Sequence, residues 1–192
     1  ALPGNALVPA TMRDLTEYSR KAGKQVVRLA KAGITPSMIM TKEAFRNAIV
    51  VHSAIGGSTN ALIHLPAIAK ELGIELDPEL FNEINRKIPH IGNVNPSGKH
   101  LTESFWFAGG IPMVQIMLKD HLDLDVLTVT GKTLGENLEE IQRDGFFERN
   151  IGYLHNYGLE REDVITPVET TKEMGSIAVL KGNLAPEGAV VK

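Results

Sequence analysis

His52-Ser53-Ala54-Ile55-Gly56-Gly57-Ser58-Thr59-Asn60-Ala61-Leu62-Ile63-His64-Leu65-Pro66 is the stretch around which the chain is organised. There one apolar helical pattern ends, the backbone turns on two glycines, and a second helical pattern begins. Paired glycines let a backbone approach a ligand or take positive φ at little steric cost, and Ser58 or Thr59 directly after them suits the N-cap of a new helix. A helix starting there aims unpaired N–H groups and a positive dipole end beyond Gly57, with the short polar side chains of Ser58, Thr59 and Asn60 beside them. Such an arrangement holds a carboxylate or a phosphate. The same pattern also fits a helix–turn–helix corner whose glycines only permit close packing.

Outward from the turn, the preceding helix is expected to begin near Thr41 and to run through Phe45, Ala48, Ile49 and Val51, apolar enough to be buried on most sides. The following helix is expected from Ser58 to Leu72, with Leu62, Leu65, Ile68 and Ala69 inward, a kink or break at Pro66 and a stop at Gly73. Nearer the start, residues 12–31 read as an amphipathic helix closed by Gly33 and Pro36. Arg13, Arg20, Lys24, Arg28 and Lys31 form its solvated side, and Leu15, Tyr18, Ala22, Val26 and Leu29 lie opposite.

Downstream, Asp77-Pro78 opens a helix that reaches Ile88, and residues 90–105 form a long polar loop. Gly109-Gly110 before Pro112 repeats the paired-glycine start, for a helix from Ile111 to His121, so the two starts could converge on one site. Thr128–Thr130 reads as a strand, and Thr133 with Glu136 as a capping box for a helix through Leu138 and Ile141. Residues 144–171 read as a connecting segment. Ser176–Leu180 and Ala189–Val191 read as β-strands, and the change of periodicity sets a domain boundary near 165–175.

Composition bounds the chemistry. The 192 residues are 43% hydrophobic and 22% charged, with no uninterrupted apolar run of membrane-spanning length. Ala1–Asn5 is not a secretory n-region, and the absence of an initiator Met suggests a cut piece or a processed product. A net charge of −3 argues against a general nucleic-acid binder, although residues 1–60 carry eight Lys/Arg against three Asp/Glu. Zero cysteines exclude disulfides, thiolate-bound zinc and an iron–sulfur cluster held by the chain's own thiolates.

Single motifs are weak. Thr130-Gly131-Lys132-Thr133 resembles the end of a P-loop, but Val126 stands where the motif needs glycine. The six histidines include no pair at helical ligand spacing, and Asp120, Asp123 and Asp125 lack the pattern of a calcium loop. His64 lies one turn after Asn60 on the same helical face. A core histidine satisfied by the backbone and a substrate contact or proton shuttle both fit that placement.

Taken together, a series of stretches resembles one family. These are Ala1–Asn5, Phe45–Ala48, Gly56–Asn60 with His64-Leu65, Pro96–Lys99, Ala108–Pro112, Thr128–Thr133 with Glu136-Asn137, and Gly182–Pro186 with Gly188–Val190. They are similar to the dihydroxy-acid dehydratase and phosphogluconate dehydratase family, which includes sugar-acid dehydratases.

The resemblance implies a lyase that removes water from a 2,3-dihydroxy acid, an aldonate among the possibilities, to give a 2-keto acid. It uses an iron–sulfur cluster as Lewis acid, a magnesium ion at the carboxylate end and a base for the C2 proton. It also implies a cytoplasmic homo-oligomer with a small dihydroxy-acid substrate and no nucleic-acid or membrane partner. The family's cluster cysteines and magnesium motif would lie before Ala1, and its base after Lys192. No catalytic residue, cluster ligand or metal ligand is therefore expected in this chain, which alone is expected to be inactive.

The expected fold class is α/β. Residues 1–165 would be the helix-rich end of an α/β N-terminal domain plus linker, and residues 166–192 the first strands of a C-terminal β-barrel-like domain. Substrate-binding candidates are Ser58, Thr59, Asn60 and His64. Phe105-Trp106-Phe107 and Gly135 look more like sugar-acid members than like the branched-chain enzyme. An alternative of another class is a non-catalytic binding or scaffold module that holds small carboxylates at the Gly57–Asn60 helix start.

Overall fold

The computed structural model describes residues 1–171 and 174–192. Helix α3 (Lys42–Ile55) is the centre of the packing, and its boundaries follow from its sequence. The Thr41 side chain accepts the Ala44 N–H at its start, and Gly56 in the left-handed region (φ 60°) ends it. Between those caps Ile49, Val50 and Ala54 have no exposed surface, and Phe45 and Val51 are buried beside them. The two polar side chains that share this burial are paired. Asn47 donates to the Asp123 carbonyl (2.7 Å) and accepts its N–H (2.9 Å), and Ser53 Oγ donates to Asn85 Oδ1 (2.8 Å).

Around this helix, in chain order, come α1 (Arg13–Ala32), α2 (Pro36–Ile39), α4 (Ala61–Glu71), α5 (Glu79–Asn85), α6 (Thr102–Phe107), α7 (Gly110–Met117), α8 (Leu134–Arg143), α9 (Phe146–His155) and α10 (Arg161–Val164). Strands β1 (Ala178–Gly182) and β2 (Ala185–Val191) follow as an antiparallel hairpin, with Ala178 opposite Val191 and Leu180 opposite Ala189. Helices α4, α5 and α7 pack on α3, α6 packs on α7 and α9, and α8 bridges α7 and α9. The hairpin lies on α5, where the Asn82 side chain imitates a neighbouring strand: its Nδ2 donates to the Val179 carbonyl (2.9 Å) and its Oδ1 accepts the Val179 N–H (2.7 Å). The arrangement is helix-rich α/β, as expected. No helix among the described residues is long and apolar enough to cross a membrane.

Several local expectations hold. The Thr133–Glu136 capping box is formed in both directions, with Glu136 Oε2 accepting the Thr133 N–H at 2.7 Å. Asp77 caps the next helix by accepting the Glu79 N–H (2.8 Å), and helical bonding continues past Asn85 to Ile88.

Others are corrected. Residues 144–171 are no connector: Asp144 caps the Phe146 N–H, and α9 and α10 deliver Phe146, Phe147, Leu154, Val164 and Ile165 to the main core. Thr128–Thr130 forms no strand, because a tight loop closes from Thr128 to Lys132 and leaves only a bridge between Leu127 and Thr133. Helix α4 starts at Ala61 rather than Ser58 and runs unbroken through Pro66, which leaves the Leu62 carbonyl without its helical N–H. On α1 the inward stripe is Asp14, Tyr18, Gln25 and Leu29, whereas Val26 is 62% exposed and Leu15 40%. Lys172 and Glu173, within the expected domain boundary, lie outside the described residues.

Candidate functional site

The bend after α3 is held by its own helix. The Gly57 N–H donates to the His52 carbonyl (2.9 Å), and the His52 ring turns back so that Nε2 lies 2.8 Å from the Ser58 carbonyl oxygen. A β-carbon at Gly57 would lie 2.8 Å from His52 Nε2 and closer still to Cδ2, so only glycine leaves room for the imidazole. Ser58 Oγ accepts the Asn60 N–H (3.3 Å), and the Ser58 carbonyl also accepts the Ala61 N–H (3.0 Å). The backbone N–H groups of Ser58 and Thr59 have no protein partner among the described residues.

Two cavities meet at this bend. The larger, of about 550 Å³, has mostly aliphatic walls and is lined by His52, Gly57 and Ser58 together with Ile111 and Pro112, so the two paired-glycine helix starts do converge. The smaller, of about 470 Å³, collects Gly56, Gly57, Ser58 and Thr59 with Asn95, Thr102 and the cationic Lys192. Ser58 borders both cavities and Thr59 the smaller one alone. Asn60 and His64 border neither: both are exposed, Asn60 just before α4 and His64 in its first turn. The core-histidine reading of His64 is thereby corrected.

Sequence reasoning missed His52, Asn95, Thr102 and Lys192 as members of this neighbourhood. His52 had a local signal in its place five residues before Gly57, where a helical side chain can reach a tight C-terminal turn. Asn95 sat in a loop marked only as polar, and Lys192 is brought in by the hairpin, a contact without local signature.

The His52 imidazole is pushed below its ordinary pKa of 6.5, chiefly by burial; its bond to the Ser58 carbonyl opposes the shift and the Lys192 charge adds to it. As the pH falls below about 6.5 the unfolded chain takes up this proton before the folded chain does, so the stability present at neutral pH is lost towards pH 5. In denaturant titrations the wild-type chain is expected to lose more stability between pH 7 and pH 5 than a His52→Gln chain. Equal losses would contradict this.

Among the described residues no three His, Cys, Asp or Glu side chains converge as a metal site, and the sequence contains no cysteine. With no cysteine in the sequence, the chain's own thiolates cannot hold an iron–sulfur cluster. At the smaller cavity the bend presents two amide N–H groups unpaired among the described residues and the short polar side chains of Ser58 and Thr59, with Lys192 also in the lining, groups of the kind that attract an anion.

Comparison with known proteins places this chain in a family. Residues 1–137 match the family model described as dihydroxy-acid/6-phosphogluconate dehydratase, N-terminal. Across the whole chain the sequence is 44% identical to a dihydroxy-acid dehydratase of Halothermothrix orenii and 43% identical to one of Ignicoccus hospitalis. It is 44% identical to one of an Arthrobacter species. In each case the chain spans about a third of the relative's length, 32%.

Proposed function

The chain belongs to the dihydroxy-acid/6-phosphogluconate dehydratase family, and from that premise we propose that it is the acid-recognising portion of a hydro-lyase that converts a 2,3-dihydroxy acid to a 2-keto acid. In that reaction C2 gives up its proton, C3 loses its hydroxyl as water, and the resulting enol tautomerises to the ketone. The C2 proton beside a carboxylate is weakly acidic and hydroxide leaves poorly, so the reaction depends on holding the acid in one orientation while groups act on both carbons. The chain's share in this reading is that orientation. Residues 1–165 would be the C-terminal part of the α/β domain with its linker, and residues 166–192 the opening of a β-barrel-like domain.

The observation that carries the reading is the smaller cavity, which both the Gly56–Thr59 bend and Lys192 line. The carboxylate would accept from the Ser58 and Thr59 amides and face the Lys192 ammonium, and the hydroxyls would meet Ser58 Oγ, Thr59 Oγ1 and Asn95. Asn60 and His64, exposed beyond the cavity, would meet whatever part of a longer substrate, such as an aldonate, projects from it. The names of the relatives favour a short dihydroxy acid over a sugar acid. In this reading bond breaking falls to groups outside this chain, which has no cysteine for a cluster and, among its described residues, no group of three side chains suited to a metal ion.

The test is to supply the purified 192-residue chain with iron, sulfide and magnesium and to offer it 2,3-dihydroxybutanoate. Binding of the acid without keto acid formation and without iron–sulfur absorbance is the expected result. Turnover by the chain alone would contradict the division of labour, and absence of binding would contradict the recognition site.

A further inference from the structure

We infer that His52 is the positioning residue of the Gly57–Asn60 bend: its imidazole takes the Ser58 carbonyl from the side of the larger cavity and thereby turns the Thr59 amide towards the smaller one. The inference rests on the reading of the smaller cavity as an acid site and adds to it the group that sets its geometry.

A carbonyl oxygen can only accept, so the 2.8 Å contact from Nε2 to the Ser58 carbonyl requires the proton to be on Nε2. Nδ1 is then a bare acceptor, and it is sealed from solvent with no partner among the described residues. Adding a proton there would bury an unpaired N–H, so the neutral Nε2–H tautomer is the one this pocket accepts. The ring is further fixed edge-on to Phe81 of α5, with centroids 6.4 Å apart and planes at 87°. Its own backbone carbonyl meanwhile holds the Gly57 N–H. His52 therefore grips the bend at two successive residues.

The consequence follows from peptide geometry. In a trans peptide the C=O and the next N–H point in opposite directions, so a Ser58 carbonyl drawn to the imidazole sends the Thr59 N–H the other way. His52 lines the larger cavity and not the smaller, whereas Thr59 lines the smaller and not the larger. The Thr59 N–H has no protein partner among the described residues and is left for a ligand. Without the imidazole N–H the Ser58 carbonyl is held, among the described residues, by the Ala61 N–H alone, the Ser58–Thr59 peptide gains freedom to rotate, and the amide is presented less well.

Two variants of the full chain separate this role from simple packing. His52→Phe keeps a ring and removes the N–H, whereas His52→Gln places an N–H at nearly the same reach without the ring. With 2,3-dihydroxybutanoate as the probe, calorimetry is expected to show a dissociation constant about tenfold weaker for His52→Phe and within about threefold of wild type for His52→Gln. The Thr59 amide resonance is expected to move in His52→Phe and to return in His52→Gln. Long-range proton–nitrogen spectra of the wild-type imidazole are expected to show the Nε2–H tautomer. An Nδ1–H tautomer, or a His52→Phe chain that binds the probe as wild type does, would overturn the inference. Wild-type protein that binds no probe would overturn the acid-site reading itself, and the tautomer and the Thr59 resonance would then decide by themselves whether the clamp exists.

Discussion

Trp106→Ala is expected to cost about 3–5 kcal/mol of folding stability, the range for deleting a large buried aromatic side chain. Trp106 is 1% exposed, and its ring meets Phe107 and Phe146 in edge contacts with centroids 5.7 and 5.6 Å away. Its Nε1 donates to the Gly4 carbonyl (2.8 Å), so the residue also pins the first segment of the chain to the core. That segment is no passive tail, because Leu2, Pro3, Gly4 and Ala6 line the larger cavity. Denaturant titration should show the loss as a large drop in midpoint. Trp106→Phe, which keeps one aromatic ring but loses the bond to Gly4 and part of the indole's packing, should cost less, about 1–3 kcal/mol. A Trp106→Ala chain as stable as wild type would mean that the N-terminal segment and the aromatic cluster are not packed as described.

Gly57→Ala is expected to damage the site more than the fold. Gly57 is not among the residues with positive φ, so the change adds no backbone strain. The new methyl would instead overlap the His52 ring, 2.8 Å from Nε2 and 3.0 Å from Cγ, and the ring must leave the Ser58 carbonyl to make room. The stability cost should be about 1–3 kcal/mol, typical of one methyl forced into a packed position. Affinity for a dihydroxy acid should fall at least about tenfold, because the clamp on the bend is lost. Gly152→Ala is the control: this residue lies in α9 with nothing within 4 Å of a β-carbon, and alanine there should leave binding unchanged while slightly favouring the helix. Unchanged binding by Gly57→Ala would remove the bend from the account.

Much of the scaffold around this site is written locally in the sequence. Thr41 and Gly56 mark both ends of α3, Thr133 and Glu136 close a reciprocal cap, and the expected strands at Ser176–Leu180 and Ala189–Val191 do pair, although the second begins earlier, at Ala185. Each signal works within a few residues, where side-chain capping and steric limits on φ act directly. Residues 144–171 failed for the complementary reason. Phe146 and Phe147 are modest helix formers, and what favours α9 is the burial of their side chains and of Leu154 against α6 and α8.

The same limit applied at the site. Gly56–Asn60 could be read as a bend with free N–H groups, because glycines and hydroxyls state that locally. The approach of Lys192 depends on Asn82 and Asn85 holding the hairpin to α5, and the exposure of His64 depends on which face of α4 finds the core; neither follows from spacing.

Titration of the nitrogen-labelled chain with 2,3-dihydroxybutanoate, followed residue by residue at the backbone amides, tests the central claim most directly. The account predicts saturable shifts concentrated at Gly57, Ser58, Thr59 and Asn60, with a matching response at Lys192. Saturable binding that leaves those five amides unmoved would contradict it.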